Sequence, residues 1–354
     1  MSGGTDSSVA ALLLKEQGYD IIGMTFRSFD SISNACMEKE KGCCNVDSIF
    51  EAKKLATELG FEHKILDIRE LFDKTIIQNF IDEYMSGSTP NPCVLCNKIV
   101  KWGKMIEEAD KLNCAYLATG HYSQVLYKNG RYFLRKGFDE LKDQSYFLWK
   151  LSQDNLAKTI FPLGELTKSE VREIARKKNY EKIANKKESQ EICFIPDDDY
   201  RRFLRERVTD IDKKIGEGNF IDINGKILGK HKGYPFYTIG QRKGLEIAMG
   251  YPVYVLDINP QDNTITLGNT DELLKKEIWI KEINMMKYAE IKEEKEALCK
   301  IRYRNKAEKC RVMQHNDKIK IIFNNPVSAI TPGQSAVIYE ENDIIAGGII
   351  IKSD

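Results

Sequence analysis

No stretch of this 354-residue chain is apolar for long enough to cross a bilayer, which takes roughly 20 such residues. No secretion signal is legible at the start either. Ser2 to Ser8 are small and polar, with no basic stretch leading into an apolar one. Charge of one sign is also lacking: 54 Lys and Arg stand against 53 Asp and Glu, which excludes a uniformly basic nucleic-acid binder and leaves only local patches. There is no internal repeat and no low-complexity tract. The nine cysteines are too few for the length, and odd in number, to be a secreted disulfide framework. These absences predict a cytoplasmic protein whose cysteines are mostly thiols. The length predicts two or three domains, and 42% hydrophobic residues suffice for real cores.

Strand and helix patterns alternate over the first part of the chain. Residues 9–17 read as a helix closed by Gly18, and residues 48–59 as a helix closed by Gly60. Residues 20–26 and 62–67 read as strands, 70–84 and 102–112 as helices, and 115–119 as a strand ending at Gly120. This alternation predicts an α/β domain with a parallel sheet over residues 1–199. The glycine-rich stretch 216–250, with turns at Asn224-Gly225 and Lys232-Gly233, marks a small central domain with β hairpins over residues 200–274. Short β-type runs then recur up to Ile351 and predict a C-terminal β-barrel or sandwich over residues 275–354.

The string Met1-Ser2-Gly3-Gly4-Thr5-Asp6-Ser7-Ser8 has a direct physical reading. Two glycines let the backbone turn and approach a ligand closely, and the N–H groups of the helix that follows favour a phosphate. Serine hydroxyls add donors, and Asp6 is a candidate Mg²⁺ ligand. The Gly-Lys-Ser/Thr of a Walker loop is absent. A plain capped glycine turn is the bland reading; the full string at a helix start outweighs it. The string resembles the pyrophosphate loop of the N-type ATP pyrophosphatases, which adenylate a carbonyl oxygen and release pyrophosphate. In that superfamily a β-strand precedes the loop, whereas here Met1 precedes Ser2 directly. The expectation is a start codon assigned too late, with an apolar strand encoded upstream.

Cysteines supply the second motif. Thr89-Pro90-Asn91-Pro92-Cys93-Val94-Leu95-Cys96-Asn97 carries two prolines that predict a stiff, non-helical segment presenting a thiol. Cys193 follows Lys186-Lys187, cations that lower a thiol pKa. Beside a half metal site or a pair of unremarkable thiols, spacing alone leaves three readings open. The first is a nucleophile. The second is a three-thiolate iron–sulfur cluster on Cys93, Cys96 and Cys193. The third is a zinc site completed by Cys43-Cys44 or His121.

Further strings extend the resemblance along the whole chain. They are Ala118-Thr119-Gly120-His121-Tyr122, Lys142-Asp143-Gln144-Ser145-Tyr146, Glu188-Ser189-Gln190-Glu191-Ile192-Cys193, Ile239-Gly240-Gln241-Arg242-Lys243-Gly244, Ile301-Arg302-Tyr303-Arg304 and Thr331-Pro332-Gly333-Gln334. Together with the loop and the cysteine string they resemble the bacterial tRNA 2-thiouridylases, which make 2-thiouridine at the wobble position. The resemblance implies ATP as cosubstrate, bound by residues 1–7 with Phe26 and Gly120. It implies Cys96 as nucleophile and Cys193 as persulfide carrier, with a transient Cys96–Cys193 disulfide. Asn91, Pro92 and Cys93 fall in the target-base loop. His121, Lys142, Asp143, Gln144, Arg302, Tyr303 and Gln334 fall at tRNA-contacting positions. The implied partners are tRNAs with Lys, Glu and Gln anticodons and a sulfurtransferase that donates the persulfide.

Some relatives carry Asp where this chain has Cys93, and a thiol titrates near a pKa of about 8.5 rather than about 3.9. Either the proton role is dispensable or Cys93 belongs to a cluster-bearing version of the site. Cys36, Cys43, Cys44, Cys114, Cys299 and Cys310 read as structural or surface thiols. Basic clusters at Lys186-Lys187, residues 201–207, Lys230-His231-Lys232, Arg242-Lys243 and residues 300–306 read singly as solvated faces, and together as cover for an extended RNA.

Overall fold

The computed structural model describes residues 1–29, 46–186 and 192–352. The chain divides into two compact units. The first comprises residues 1–77, 93–198 and 342–344, the second residues 78–92, 199–341 and 345–354.

In the first unit, helix Thr5–Glu16 (α1) begins four residues before its predicted start, because Gly4 is already extended (φ −83°, ψ 164°) and hands the chain straight into helix. Gly18 and Gly60 follow their helices with positive φ (83° and 69°), as their positions predict. Strand Ile22–Arg27 (β1) pairs in parallel with Glu62–Asp67 (β2), Ile22 opposite Glu62, with helix Val46–Leu59 (α2) between them in the chain. Helix Pro92–Cys96 (α3) corrects the expectation of a non-helical cysteine segment. Pro92 opens the helix, where a missing N–H costs nothing because that position has no intrahelical acceptor. The helix runs on as a π-helical stretch, Asn97–Lys104, and as an α-helix, Met105–Lys111.

The strand predicted over 115–119 is only Leu117–Ala118 (β3). A hairpin of Ser123–Lys128 (β4) and Arg131–Lys136 (β5) turns on Asn129-Gly130, both at positive φ. β3 pairs in parallel with Thr159–Ile160 (β6). Among the described residues the parallel sheet therefore consists of two short pairs. Met1 lies along β1, its amino group donating to Met24 O and its carbonyl accepting from Thr25 Oγ1. Val9 and Leu12 of α1 are buried against Tyr122, Leu163, Val171 and Ala175, which fixes the helix beneath the loop.

The second unit holds two sheets. Gly218–Ile221 (β7), Ile227–His231 (β8), Tyr254–Asn259 (β9) and Thr264–Gly268 (β10) form a four-stranded sheet in the order β8-β7-β10-β9. Leu274–Met285 (β11), Lys295–Lys300 (β12), Glu308–His315 (β13), Lys318–Ser328 (β14), Ser335–Glu340 (β15) and Asp343–Ile351 (β16) run in the order β11-β14-β13-β12-β15-β16, and β11 pairs with β16. The result is a closed six-stranded barrel, as the recurring β-type runs predict, with no open edge between those strands. Alternation along β14 puts Ile319, Ile321 and Phe323 inside. β13 escapes sequence reading because charged residues flank its two fully buried positions, Cys310 and Val312.

Ile321 is 0% exposed at the barrel centre, so Ile321→Ala removes buried methylenes and leaves a void. The expected cost is about 2–5 kcal/mol, against about 1 kcal/mol for Ile321→Val. Guanidinium denaturation of both variants measures the difference.

Candidate active site

The loop at the head of α1 is shaped by close backbone approach on two sides. A Cβ at Gly3 would lie 2.2 Å from Ser48 O, and one at Gly120 would lie 2.7 Å from the Asp6 carbonyl carbon, so neither position admits a side chain. Hydroxyls on the loop fold the loop itself. Ser2 N donates to Ser7 Oγ at 3.1 Å, Ser7 Oγ donates to Gly4 O at 3.2 Å, and Thr5 Oγ1 donates to Ile183 O at 2.6 Å. No side chain caps α1 at Gly4. The first-turn N–H groups of α1 therefore stand as donors for an anion, with the helix dipole behind them.

Asp6 does not stand alone. Its Oδ1 accepts from Lys168 Nζ at 2.6 Å and from Tyr122 Oη at 2.8 Å. Lys168 is 8% exposed, a buried cation held beside the phosphate-binding turn. Its position follows from a capping box: Thr167 and Glu170 cap helix Lys168–Lys177 (α4) reciprocally and make Lys168 its first residue. Lys168 N also donates to Asp139 Oδ2 at 2.9 Å. A second cation, Lys186, donates to Gly3 O at 3.0 Å and to Ser48 Oγ at 3.3 Å, and pairs with Glu51. Sequence reading singled out neither Lys168 nor Tyr122 for chemistry. The signal for Lys168 was the Thr-Lys-Ser-Glu capping box, which announces a helix start but not what the helix points at.

The residues matched to adenosine and phosphate binding thus gather in one place: Met1 through Ser7 around the loop, Gly120 against Asp6, and half-buried Phe26 on the adjacent strand β1. The donor set suits a polyphosphate. It offers helix N–H groups, a buried lysine and one carboxylate, with no Cβ in the way.

On α3, Cys93 is exposed and Cys96 half-buried, while Val94 and Pro92 are buried and anchor the helix. Asn97 holds the next turn by donating from Nδ2 to Phe147 O at 3.0 Å. Cys193 is half-buried in the same compact unit. Cys36, Cys43 and Cys44 lie outside the described residues, as does Lys187. Cys114 is half-buried, and Cys299 and Cys310 are buried in the barrel, where burial pushes the Cys299 thiol up. Among the described residues no three His, Cys, Asp or Glu side chains converge on a metal position.

The positions matched to tRNA contact divide by burial. His121 is buried beside Trp102 and Phe161, and burial drives its pKa well below the usual imidazole value. Neutral at pH 7, its Nε2 accepts from Lys101 and its Nδ1 donates to Thr119 Oγ1. Asp143 is also buried and accepts from Gly137 N, Ser145 N and Ser145 Oγ. Gln144 Oε1 accepts from Tyr122 N, and Lys142 is half-exposed beside it. Arg302, Tyr303 and Gln334 are half-exposed in the second unit, with Lys300 Nζ 5.2 Å from the Tyr303 ring centroid.

Three family descriptions match the chain in succession: tRNA methyl transferase HUP domain over residues 1–197, tRNA methyl transferase PRC-barrel domain over 201–269, and aminomethyltransferase beta-barrel domain over 275–351. Curated relatives are named for thiolation rather than methyl transfer. The tRNA-specific 2-thiouridylase MnmA of Amoebophilus asiaticus is 49% identical, covering 100% of this chain and 94% of the relative. That of Cytophaga hutchinsonii is 47% identical over 100% and 96%, and that of Salinibacter ruber 49% over 99% and 92%. The U34-tRNA thiolase NcsA from Methanococcus maripaludis, solved with its [4Fe-4S] cluster, aligns over 60% of this chain and 64% of that one at 21% identity and a TM-score of 0.34, too slight a likeness to bear on a cluster here. Matched end to end at nearly half its residues, this chain belongs to the tRNA-specific 2-thiouridylase family.

Proposed function

We propose that this protein is a cytoplasmic tRNA-uridine 2-sulfurtransferase that thiolates the wobble uridine of tRNAs with Lys, Glu and Gln anticodons. The observation that carries the reading is the uncapped N-terminus of α1 with Asp6, Tyr122 and Lys168 locked together beside it. That arrangement suits cleavage between the α- and β-phosphates of ATP. The uridine C2 oxygen attacks the α-phosphate and pyrophosphate departs, held by the α1 N–H groups and Lys168. The carboxylate of Asp6 would hold Mg²⁺, which offsets phosphate charge.

Adenylation converts oxide, a poor leaving group, into AMP. The terminal sulfur of a Cys193 persulfide then bonds to C2 as the C2–O bond to AMP breaks. Cys96 thiolate attacks the Cys193 sulfur, the S–S bond breaks, and its electron pair leaves on the sulfur now attached to C2. Both cysteine sulfurs end oxidised in a Cys96–Cys193 disulfide, and a two-electron thiol reductant restores them. A sulfurtransferase reloads Cys193.

The division of labour follows the three segments: residues 1–199 for chemistry, 200–274 as connector, 275–354 as an RNA-contacting barrel. Uridine C2 lies on the base edge, so the base must leave the anticodon stack to reach Asn91, Pro92 and Cys93. Half-exposed Lys142, Gln144, Arg302 and Tyr303 suit direct RNA contact. Buried His121 and Asp143 act by holding the backbone from which Lys142 and Gln144 project.

Cys96→Ser and Cys193→Ser are each expected to abolish thiolation while tRNA-dependent ATP–pyrophosphate exchange persists. Thiolation that survives Cys193→Ser removes the persulfide role. Lys168→Met is expected to lower the exchange rate about 100-fold or more through loss of a buried charge at the leaving pyrophosphate, with tRNA affinity unchanged in filter binding.

A further inference from the structure

The strings Thr89-Pro90-Asn91-Pro92 and Thr331-Pro332-Gly333-Gln334 meet although 245 residues separate Thr89 from Gln334. Thr89 N donates to Pro332 O at 2.9 Å. The Gln334 side chain donates from Nε2 to Thr89 O at 3.2 Å and to Pro90 O at 2.7 Å. Gly333 lies over the same strand of backbone, where a Cβ would come within 2.7 Å of Thr89 O. The turn making these contacts is itself pinned. Gly333 N donates to Ile350 O at 3.0 Å, Ile350 N donates to Gln334 O at 2.8 Å, and Thr331 Oγ1 accepts from Arg302, which also donates to Ile239 O at 2.9 Å.

A segment with proline at two of three positions has few N–H groups and cannot pair its carbonyls through a helix or ladder of its own. Gln334 supplies the missing donor from outside. Only Asn91 separates the clamped Pro90 from Pro92, the first residue of α3, which carries Cys93 and Cys96.

We propose that Gln334 is a positioning residue for the thiol-bearing helix: its amide fixes the entry of α3, and so the aim of Cys96, before any RNA is bound. The proposal rests on the thiolation reading above and assigns Gln334 a role separate from contact with tRNA. Arg302 acts one step further back, by holding Thr331 and the turn.

The test compares the unsubstituted full-length protein with Gln334→Met, which keeps the length and removes the donor, and with Gln334→Asn, which keeps the amide and withdraws it. Hydrogen exchange at the Thr89 amide and the rate of Cys96 labelling by iodoacetamide are followed in tRNA-free protein. Affinity for tRNA and single-turnover thiolation at saturating tRNA are measured alongside. In both variants Thr89 exchange is expected to rise about tenfold, in line with lost hydrogen bonds, and the Cys96 labelling rate to change. Thiolation at saturating tRNA is expected to fall about tenfold or more, with tRNA affinity altered less than about twofold. Unchanged exchange and labelling, together with weaker tRNA binding and a rate restored by saturating tRNA, make Gln334 an RNA contact and overturn the proposal. Exchange at Val312 reports barrel folding; if the Met variant loses it, the Asn variant decides. Exchange and labelling require neither ATP nor tRNA. Unsubstituted protein that fails to thiolate therefore refutes the functional reading while these two readouts still judge the clamp.

Discussion

The uncapped start of α1 is the constraint around which the first unit is arranged. Helix N–H groups left without a protein acceptor favour a negatively charged ligand, and the residues nearby keep that opening from being filled by the protein itself. Gly3 and Gly120 bring neighbouring backbone to within a distance that no side chain allows. Ser7 and Thr5 spend their hydroxyls on Gly4 O and Ile183 O, holding the turn rigid. Lys168 brings a buried cation that Asp6 pairs with, and Tyr122 shares the same carboxylate oxygen. The carboxylate keeps the lysine aimed in the absence of ligand, so little reorganisation is needed when phosphates arrive.

Phosphate chemistry and sulfur chemistry fall on different elements. In the proposed function the loop and α1 take the leaving pyrophosphate, while α3 and the segment around Cys193 carry the thiols. Separation has a chemical logic. A strong cationic field suits pyrophosphate, whereas the proposed persulfide would need access to a base drawn out of its stack and to a donor. Exposed Cys93 and half-buried Cys96, one helical turn apart on a short helix anchored by Pro92, Val94 and Asn97, combine that access with a fixed aim.

Much of this was legible in the sequence wherever a local rule and the fold agree. The alternating patterns that end at Gly18 and Gly60, the recurring β-type runs of the barrel, and the loop string itself all act through neighbours in the chain. Failures came where distant partners decide. Pro92 was read as a helix breaker, but at a first helical position its missing N–H is harmless. Lys168 drew no reading at all, because its partner Asp6 lies 162 residues away. The burial of His121 and Asp143 was equally invisible, because it depends on Trp102, Phe161 and the turn at Gly137. β13 was hidden because a barrel strand needs only two fully buried positions when its neighbours complete the core.

The proposed chemistry turns on which oxygen receives the adenylyl group. Transfer RNA carrying ¹⁸O at C2 of the wobble uridine, incubated with ATP and persulfide-loaded protein, tests this by mass spectrometry of the nucleotide released. Attack by C2 oxygen on the α-phosphate predicts one ¹⁸O in the phosphate of AMP for each 2-thiouridine formed. Thiolated tRNA accompanied by unlabelled AMP, with the ¹⁸O recovered in water, would contradict it.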